Sequence, residues 1–196
     1  MNEPANHPST SPWESPNPKE TAGSSPVKPV LAGWMRDVAI SLAVSVFFIV
    51  FLYQPVKVEG TSMMPTLEDQ ERVFINKFVY KLESINRGDV VVFHYPRDVS
   101  KSYIKRVIAV AGDRVRIDNG IVYVNHERWP EPYVPDKYWD ARSYPETVVP
   151  QRSYFVLGDH RNLSNDSRDF GPVDEQYIYG KAVFGYWPFD KLGKLR

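Results

Sequence analysis

The sequence predicts a mainly β protein, an antiparallel fold built behind one apolar segment. Three observations predict it. Past residue 57 the apolar runs are short and rich in β-branched or aromatic residues. Turn residues separate them at close intervals, as in Arg87-Gly88-Asp89, Gly112-Asp113 and Gly158-Asp159. No long amphipathic helix interrupts the series. Seventeen prolines and 14% aromatic residues point the same way, away from a helical bundle.

In chain order, residues 1–36 read as a disordered tail. Seven of the first thirty residues are proline, and Ser, Thr, Asn and Glu fill most of the rest. Such a segment cannot bury enough apolar surface to offset the entropy of ordering it. Residues 37–56 read as a transmembrane anchor. The stretch Val38–Tyr53 is free of charge, and no charge falls between Asp37 and Lys57. A helix of about 19 residues spans roughly 28 Å, close to the hydrocarbon core of a bilayer. Pro55 is placed to end it. A cleaved signal peptide fits poorly, because no small-x-small site follows the apolar run. Lys19, Lys28 and Arg36 precede the segment and Lys57 and Arg72 follow it, a slight bias toward a cytoplasmic N-terminus.

Residues 57–196 form the globular part, long enough for one core that buries about two-thirds of its unfolded surface. Strands are expected at Arg72–Tyr80, Asp89–Tyr95, Ser102–Val110, Arg114–Ile117, Ile121–Asn125, Ser153–Leu157 and Lys181–Trp187. Asp118-Asn119-Gly120 between two of them is a hairpin signal. Glu127–Pro150, with five prolines, two Trp and three Tyr, reads as an irregular excursion within a small subdomain at about 116–152.

Charge and cysteine content exclude several classes. Lys+Arg and Asp+Glu are 24 each, without the basic surplus of a nucleic-acid binder. The absence of cysteine removes disulfides, thiolate metal sites and cysteine nucleophiles. The four histidines are scattered with no metal-ligand spacing, so no metal or cofactor is expected.

Chemistry could reside in three places. Ser62 lies between Gly60 and Pro65, where unusual backbone could hold it exposed; a serine in such a loop is also an ordinary turn residue. Lys105 shares an apolar strand face with Tyr103, Val107 and Ala109. It either sits at a sheet edge and snorkels to water, or is desolvated so that its amine can accept a proton. The polar run Gly158–Gly171 fails the calcium-loop spacing at Arg161. It reads as a self-bonded loop with an Asp166–Arg168 charge pair, able to bring Ser164 to a distant lysine. His160, close to Asp159 and Asp166, leaves a Ser-His-Asp arrangement open.

Together and in this order, these stretches resemble the bacterial type I signal peptidase family of membrane-bound serine/lysine proteases. The matching blocks are Gly-x-Ser-Met-x-Pro-Thr-Leu at 60–67, Arg-Gly-Asp-Val-Val-x-Phe at 87–93, Tyr-Ile-Lys-Arg-Val-Ile at 103–108 with Gly112-Asp113, and Gly-Asp-x-Arg-x-x-Ser-x-Asp-Ser-Arg at 158–168. The resemblance implies two antiparallel sheet domains, Ser62 as nucleophile and Lys105 as general base. It implies that Ser164 orients the lysine and that the Ser62 amide donates to the oxyanion. Asp166 and Arg168 brace the site, with Gly158, Asp159 and Arg106 in support. Val58 and Ile104 line shallow substrate pockets. Some members carry a hydroxyl residue as a second oxyanion donor where Gly60 stands here, so Gly60→Ser is expected to preserve or raise activity. The implied substrates are signal peptides of exported preproteins. The implied setting is a monomer in the bacterial cell membrane, single-pass, with the catalytic part outside the cytoplasm and no nucleic-acid partner. Two rivals are a self-cleaving repressor-type Ser/Lys protease, which should carry a helix-turn-helix, and an inactive tethered β module that binds exported proteins.

Overall fold

The computed structural model describes residues 27–78, 80 and 83–194. Residues 1–26, most of the expected tail, lie outside the described residues. The helix α1 runs Val27–Leu52. It begins ten residues ahead of the expected anchor boundary, so 27–36 is helical and not part of an irregular tail. Pro29 does not prevent this, because the first turn of a helix leaves its N–H groups without intrahelical partners. The side chains of Trp34, Val38, Ile40, Leu42, Val44 and Val46 are exposed. Among the described residues no helix is both long and apolar enough to cross a membrane; the side chains of 48–51, inside the expected anchor, lie outside the described ones.

The helix stops at Leu52, and Tyr53–Lys57 forms strand β1. The helix therefore ends four residues before the boundary at 56 expected for the anchor. A residue preceding proline favours extended backbone, which turns Gln54 and its neighbours toward a strand. Pro55 is tolerated there because β1 is an edge strand.

The larger sheet holds β1, β2 (Arg72–Asn76), β3 (Val90–Tyr95), β4 (Asp98–Ala109), β9 (Ser153–Leu157), β10 (Val173–Asp174), β11 (Ile178–Trp187) and β12 (Gly193–Lys194). Its order is β1-β2-β11-β3-β4-β9-β10, with β12 on β11, and every pairing is antiparallel. The smaller sheet has the order β7-β6-β5-β8, from β5 (Arg114–Asp118), β6 (Ile121–Val124), β7 (Glu127–Arg128) and β8 (Tyr144–Val148). Asn119 and Gly120, both at positive φ, make the β5–β6 turn as expected. The proline-rich excursion is less irregular than its composition indicates, since β8 returns to pair with β5.

Two-sided burial explains why β4 carries little alternation at its end: Lys105 to Ala109 are all buried. Val107 packs with Val91, Phe93 and Val156 on one side. Ile108 packs with Val115, Val122 and Leu157 on the other, where the two sheets share a core. A third cluster, Val58, Met63, Leu67, Val73, Val90 and Ala182, underlies the loop that carries Ser62.

Candidate active site

The Ser62 loop follows β1 as a succession of turns over 60–67. Met63 and Leu67 drive it onto the sheet, each exposed by 1% or less. Gly60 enters the loop at φ +95°, a region that L side chains rarely adopt, and its N–H donates to the Asp69 carboxylate at 2.7 Å. Beyond Gly60 and its two chain neighbours, no atom of the described residues lies within 4 Å of the place a Gly60 Cβ would occupy. Backbone conformation, and not space, is therefore what glycine supplies here, which reverses the expectation for Gly60→Ser. The Ser62 N–H donates to no group among the described residues, and the Ser62 carbonyl accepts the His160 N–H at 3.1 Å.

Lys105 Nζ meets Ser62 Oγ at 2.5 Å. The lysine is not at an exposed edge; it is only 3% exposed. Burial is the main cause that lowers its pKa from 10.5 to about 8; Asp166 and Asp159 pull it back up, and Arg168 pushes it down. A fraction of the amine is thus neutral near pH 7 to 8 and can accept a proton.

Behind the lysine lie two buried ion pairs. Arg106 binds Asp159 at 2.8 Å, with both side chains at 2% exposure or less. Thr66 Oγ1 donates to the same carboxylate at 2.6 Å and accepts from Arg106 at 3.2 Å. Asp166 accepts from Arg168 through two hydrogen bonds of 2.8 Å. It also takes the Gly158 N–H at 3.1 Å and caps the short helix α2, Ser167–Phe170. Burial raises the Asp166 pKa, but Arg168, Ser164 and the Gly158 amide together bring it below the ordinary carboxylate range. Buried pairs of this kind are costly to break, because removing one partner strands the other charge.

Ser164 is 7% exposed, and its Oγ has no well-formed hydrogen bond, although it lies near enough to Asp166 to help hold that carboxylate ionised. No bond joins it to Lys105 among the described residues. It is placed instead against Gly158. A Cβ there would overlap the Ser164 hydroxyl and lie 2.5 Å from the Ser62 carbonyl oxygen. This close approach is the reason for glycine at 158. His160 Nδ1 faces the Thr61 carbonyl at 3.0 Å, and the ring packs on Tyr138. It makes no hydrogen bond to Ser62 Oγ, so the Ser-His-Asp alternative has no geometry behind it.

A groove of about 720 Å³ opens over Ser62 and Lys105 and is lined by Val58, Gly60, Tyr103 and Ile104, among others. Val58 forms part of its floor; its own N–H and carbonyl are bonded to Glu71 and Gln70. Sequence reasoning gave no role to Thr66, although it stood within the first block, or to Glu131, Asp140 and Arg142. No local pattern ties those three to the 158–169 loop, since their bonds to it span 19 to 30 residues of chain.

A serine hydroxyl bonded to a buried amine, with no histidine bonded to that hydroxyl among the described residues, is the arrangement of a serine peptidase that uses lysine as its base. The signature of the family "signal peptidase, peptidase S26" matches residues 31–187. Signal peptidase IB of Staphylococcus aureus strain N315 is 39% identical over 182 residues, covering 85% of this chain and 94% of its own. Signal peptidase I of Bacillus licheniformis is 33% identical over 170 residues, covering 82% and 91%. The crystal structure of a signal peptidase I from Enterococcus faecalis V583 aligns at 28% identity over 52% of this chain and 98% of that one, with a TM-score of 0.46. The chain belongs to the signal peptidase family, peptidase S26, and its activity is that of a signal peptidase I, a serine endopeptidase.

Proposed function

We propose that Ser62 and Lys105 carry this activity as a dyad, cutting signal peptides from exported preproteins through an acyl-enzyme. The observation that carries the reading is the 2.5 Å contact between Lys105 Nζ and Ser62 Oγ, with the lysine desolvated. Neutral Lys105 takes the Ser62 proton as Oγ attacks the scissile carbonyl. The Ser62 N–H, which has no partner among the described residues, donates a hydrogen bond to the developing oxyanion. Collapse of the tetrahedral intermediate breaks the C–N bond, and the Lys105 ammonium gives its proton to the leaving amine. Water, deprotonated by the same amine, then attacks the ester carbonyl; the C–Oγ bond breaks and the Lys105 ammonium returns its proton to Ser62 Oγ. No metal or cofactor enters any step.

The substrate chain lies extended in the groove. The first half of β4 pairs only with β3, since pairing with β9 starts at Arg106. Its other edge along Ser100–Ile104 lines the groove and is open to an added strand. Val58 and Ile104 then meet small side chains near the cut. The protein works as a monomer held in the bacterial cell membrane by the charge-free run 38–56, with its N-terminus cytoplasmic and its catalytic part outside. Its partners are signal peptides and the lipid bilayer.

The test is incubation of the purified full chain in detergent with a preprotein, followed by gel analysis. A mature-sized product is expected from the native chain and none from Ser62→Ala or Lys105→Ala, both still folded. Cleavage by Lys105→Ala at neutral pH would remove the dyad.

A further inference from the structure

The proline-rich excursion between β7 and β8 touches the 158–169 loop, and Arg106 of β4, through side chains that the mechanism leaves unused. Glu131 pairs with the buried Arg161 at 2.6 Å. The Tyr133 ring lies 4.1 Å from the Arg106 guanidinium carbon, and Tyr138 packs on His160. Asp140 is the most connected of these residues. Its carboxylate accepts from Arg168 at 2.9 and 3.2 Å and from Arg142 at 2.9 Å. Arg142 in turn donates to the carbonyls of Arg161 and Ser164, each at 3.2 Å, and pairs with Asp169 at 3.1 Å. One carboxylate thus holds the loop from two sides. Through Arg168 it reaches Asp166 and the Gly158 amide. Through Arg142 it reaches Ser164, which packs against Gly158 beside the Ser62 carbonyl. Pro130, Pro132 and Pro135 fix φ along the approach and stiffen it.

We propose that this excursion is a clamp on the 158–169 loop and that Asp140 is its positioning residue, setting where Ser164 and Asp166 lie relative to the reacting pair. The inference rests on the Ser62/Lys105 reading. Asp140 touches neither reacting atom, so substrate binding in the groove should be little affected while the chemical step suffers. Lys105 Nζ is faced by the Ser62 hydroxyl, by the Tyr103 ring at 5.4 Å, and by the charges of Asp166, Asp159 and Arg168. Loss of the Asp140 charge leaves Arg168 less compensated, which disfavours protonated Lys105 and moves the acidic limb of the rate profile to lower pH.

The test uses the full chain in detergent and a peptide spanning a signal-peptide cleavage site. Asp140→Asn is expected to lower kcat roughly tenfold with KM within about twofold of native, since a misplacement of about an ångström is enough for that. The acidic limb should move to lower pH, and Asp140→Glu should recover part of the rate. Native kcat with an unmoved limb would overturn the proposal. So would a lower kcat with an unmoved limb and a lower melting temperature, which would mark general loosening. Should Asp140→Asn fail to fold, Arg142→Gln, whose side chain is 41% exposed, gives the same split of kcat from KM; native kcat in that variant would overturn the clamp. Ser62→Ala, run alongside, separates the two readings: if it still cleaves, the dyad fails and not the clamp.

Discussion

Replacing Lys105 by methionine should abolish cleavage and at the same time stabilise the fold at neutral pH. The lysine pKa falls from 10.5 to about 8, chiefly through burial. At about 1.4 kcal/mol per pH unit, that displacement costs the folded state about 3 kcal/mol. Methionine has a similar length, carries no charge, and loses one hydrogen bond to Ser62, which gives back about 1 kcal/mol. A net gain of about 2 kcal/mol follows at pH 6 to 7. The sign of the pH dependence is fixed by the direction of the shift. Below about pH 8 the lysine is charged in both states and the cost is full. Between about 8 and 10.5 the unfolded chain holds the proton and the folded chain does not, so native stability rises with pH and the advantage of methionine shrinks. The assay is denaturant unfolding of both full chains in the same detergent at pH 7 and pH 9.5, with cleavage measured beside it. A variant less stable than native at pH 7, or a gain that stays constant up to pH 9.5, would refute the burial argument.

Gly60→Ser should lose activity, because a non-glycine residue at φ +95° costs about 1–2 kcal/mol and shifts the Ser62 loop; Gly60→Val should lose more, as read by kcat/KM and melting temperature. A serine variant that matches or exceeds native activity would restore the case for a side-chain oxyanion donor at 60. His160→Ala should retain substantial cleavage with a modest loss, since the ring packs on Tyr138 and faces the Thr61 carbonyl without touching Ser62 Oγ. A fall of about a thousandfold or more in kcat would return the histidine to the catalytic step.

All seven strands expected from the sequence are present, because each combines β-branched or aromatic residues with a turn signal at its end. The strands that escaped are short or peripheral. β1 was hidden behind the apolar run that precedes it, and the two-residue β7, β10 and β12 are too brief to show a period. β8, Tyr-Pro-Glu-Thr-Val, reads as loop because proline breaks the pattern, yet β8 is an edge strand, where proline is allowed. At the site, Ser62 and Lys105 were legible through the order of the blocks around them, and the structure brings them into contact across 43 residues of chain. The Asp166–Arg168 pair, two residues apart, was legible too, but the distant partners were not. Nothing local pairs Arg106 with Asp159, 53 residues away, or Asp140 with Arg168, 28 away. For Gly60 the sequence left two readings open, unusual backbone and a place for a missing oxyanion donor; φ +95° favours the first, and a φ cannot be read from sequence.

The dependence of kcat/KM on pH, measured with the full chain and a preprotein from pH 5 to 10, tests the central claim most directly. A lysine base buried as Lys105 is predicts a rate that climbs with pH and levels off above about 8, following the neutral amine. A profile already level from pH 5, or one that turns near the ordinary histidine value of about 6.5, would contradict it.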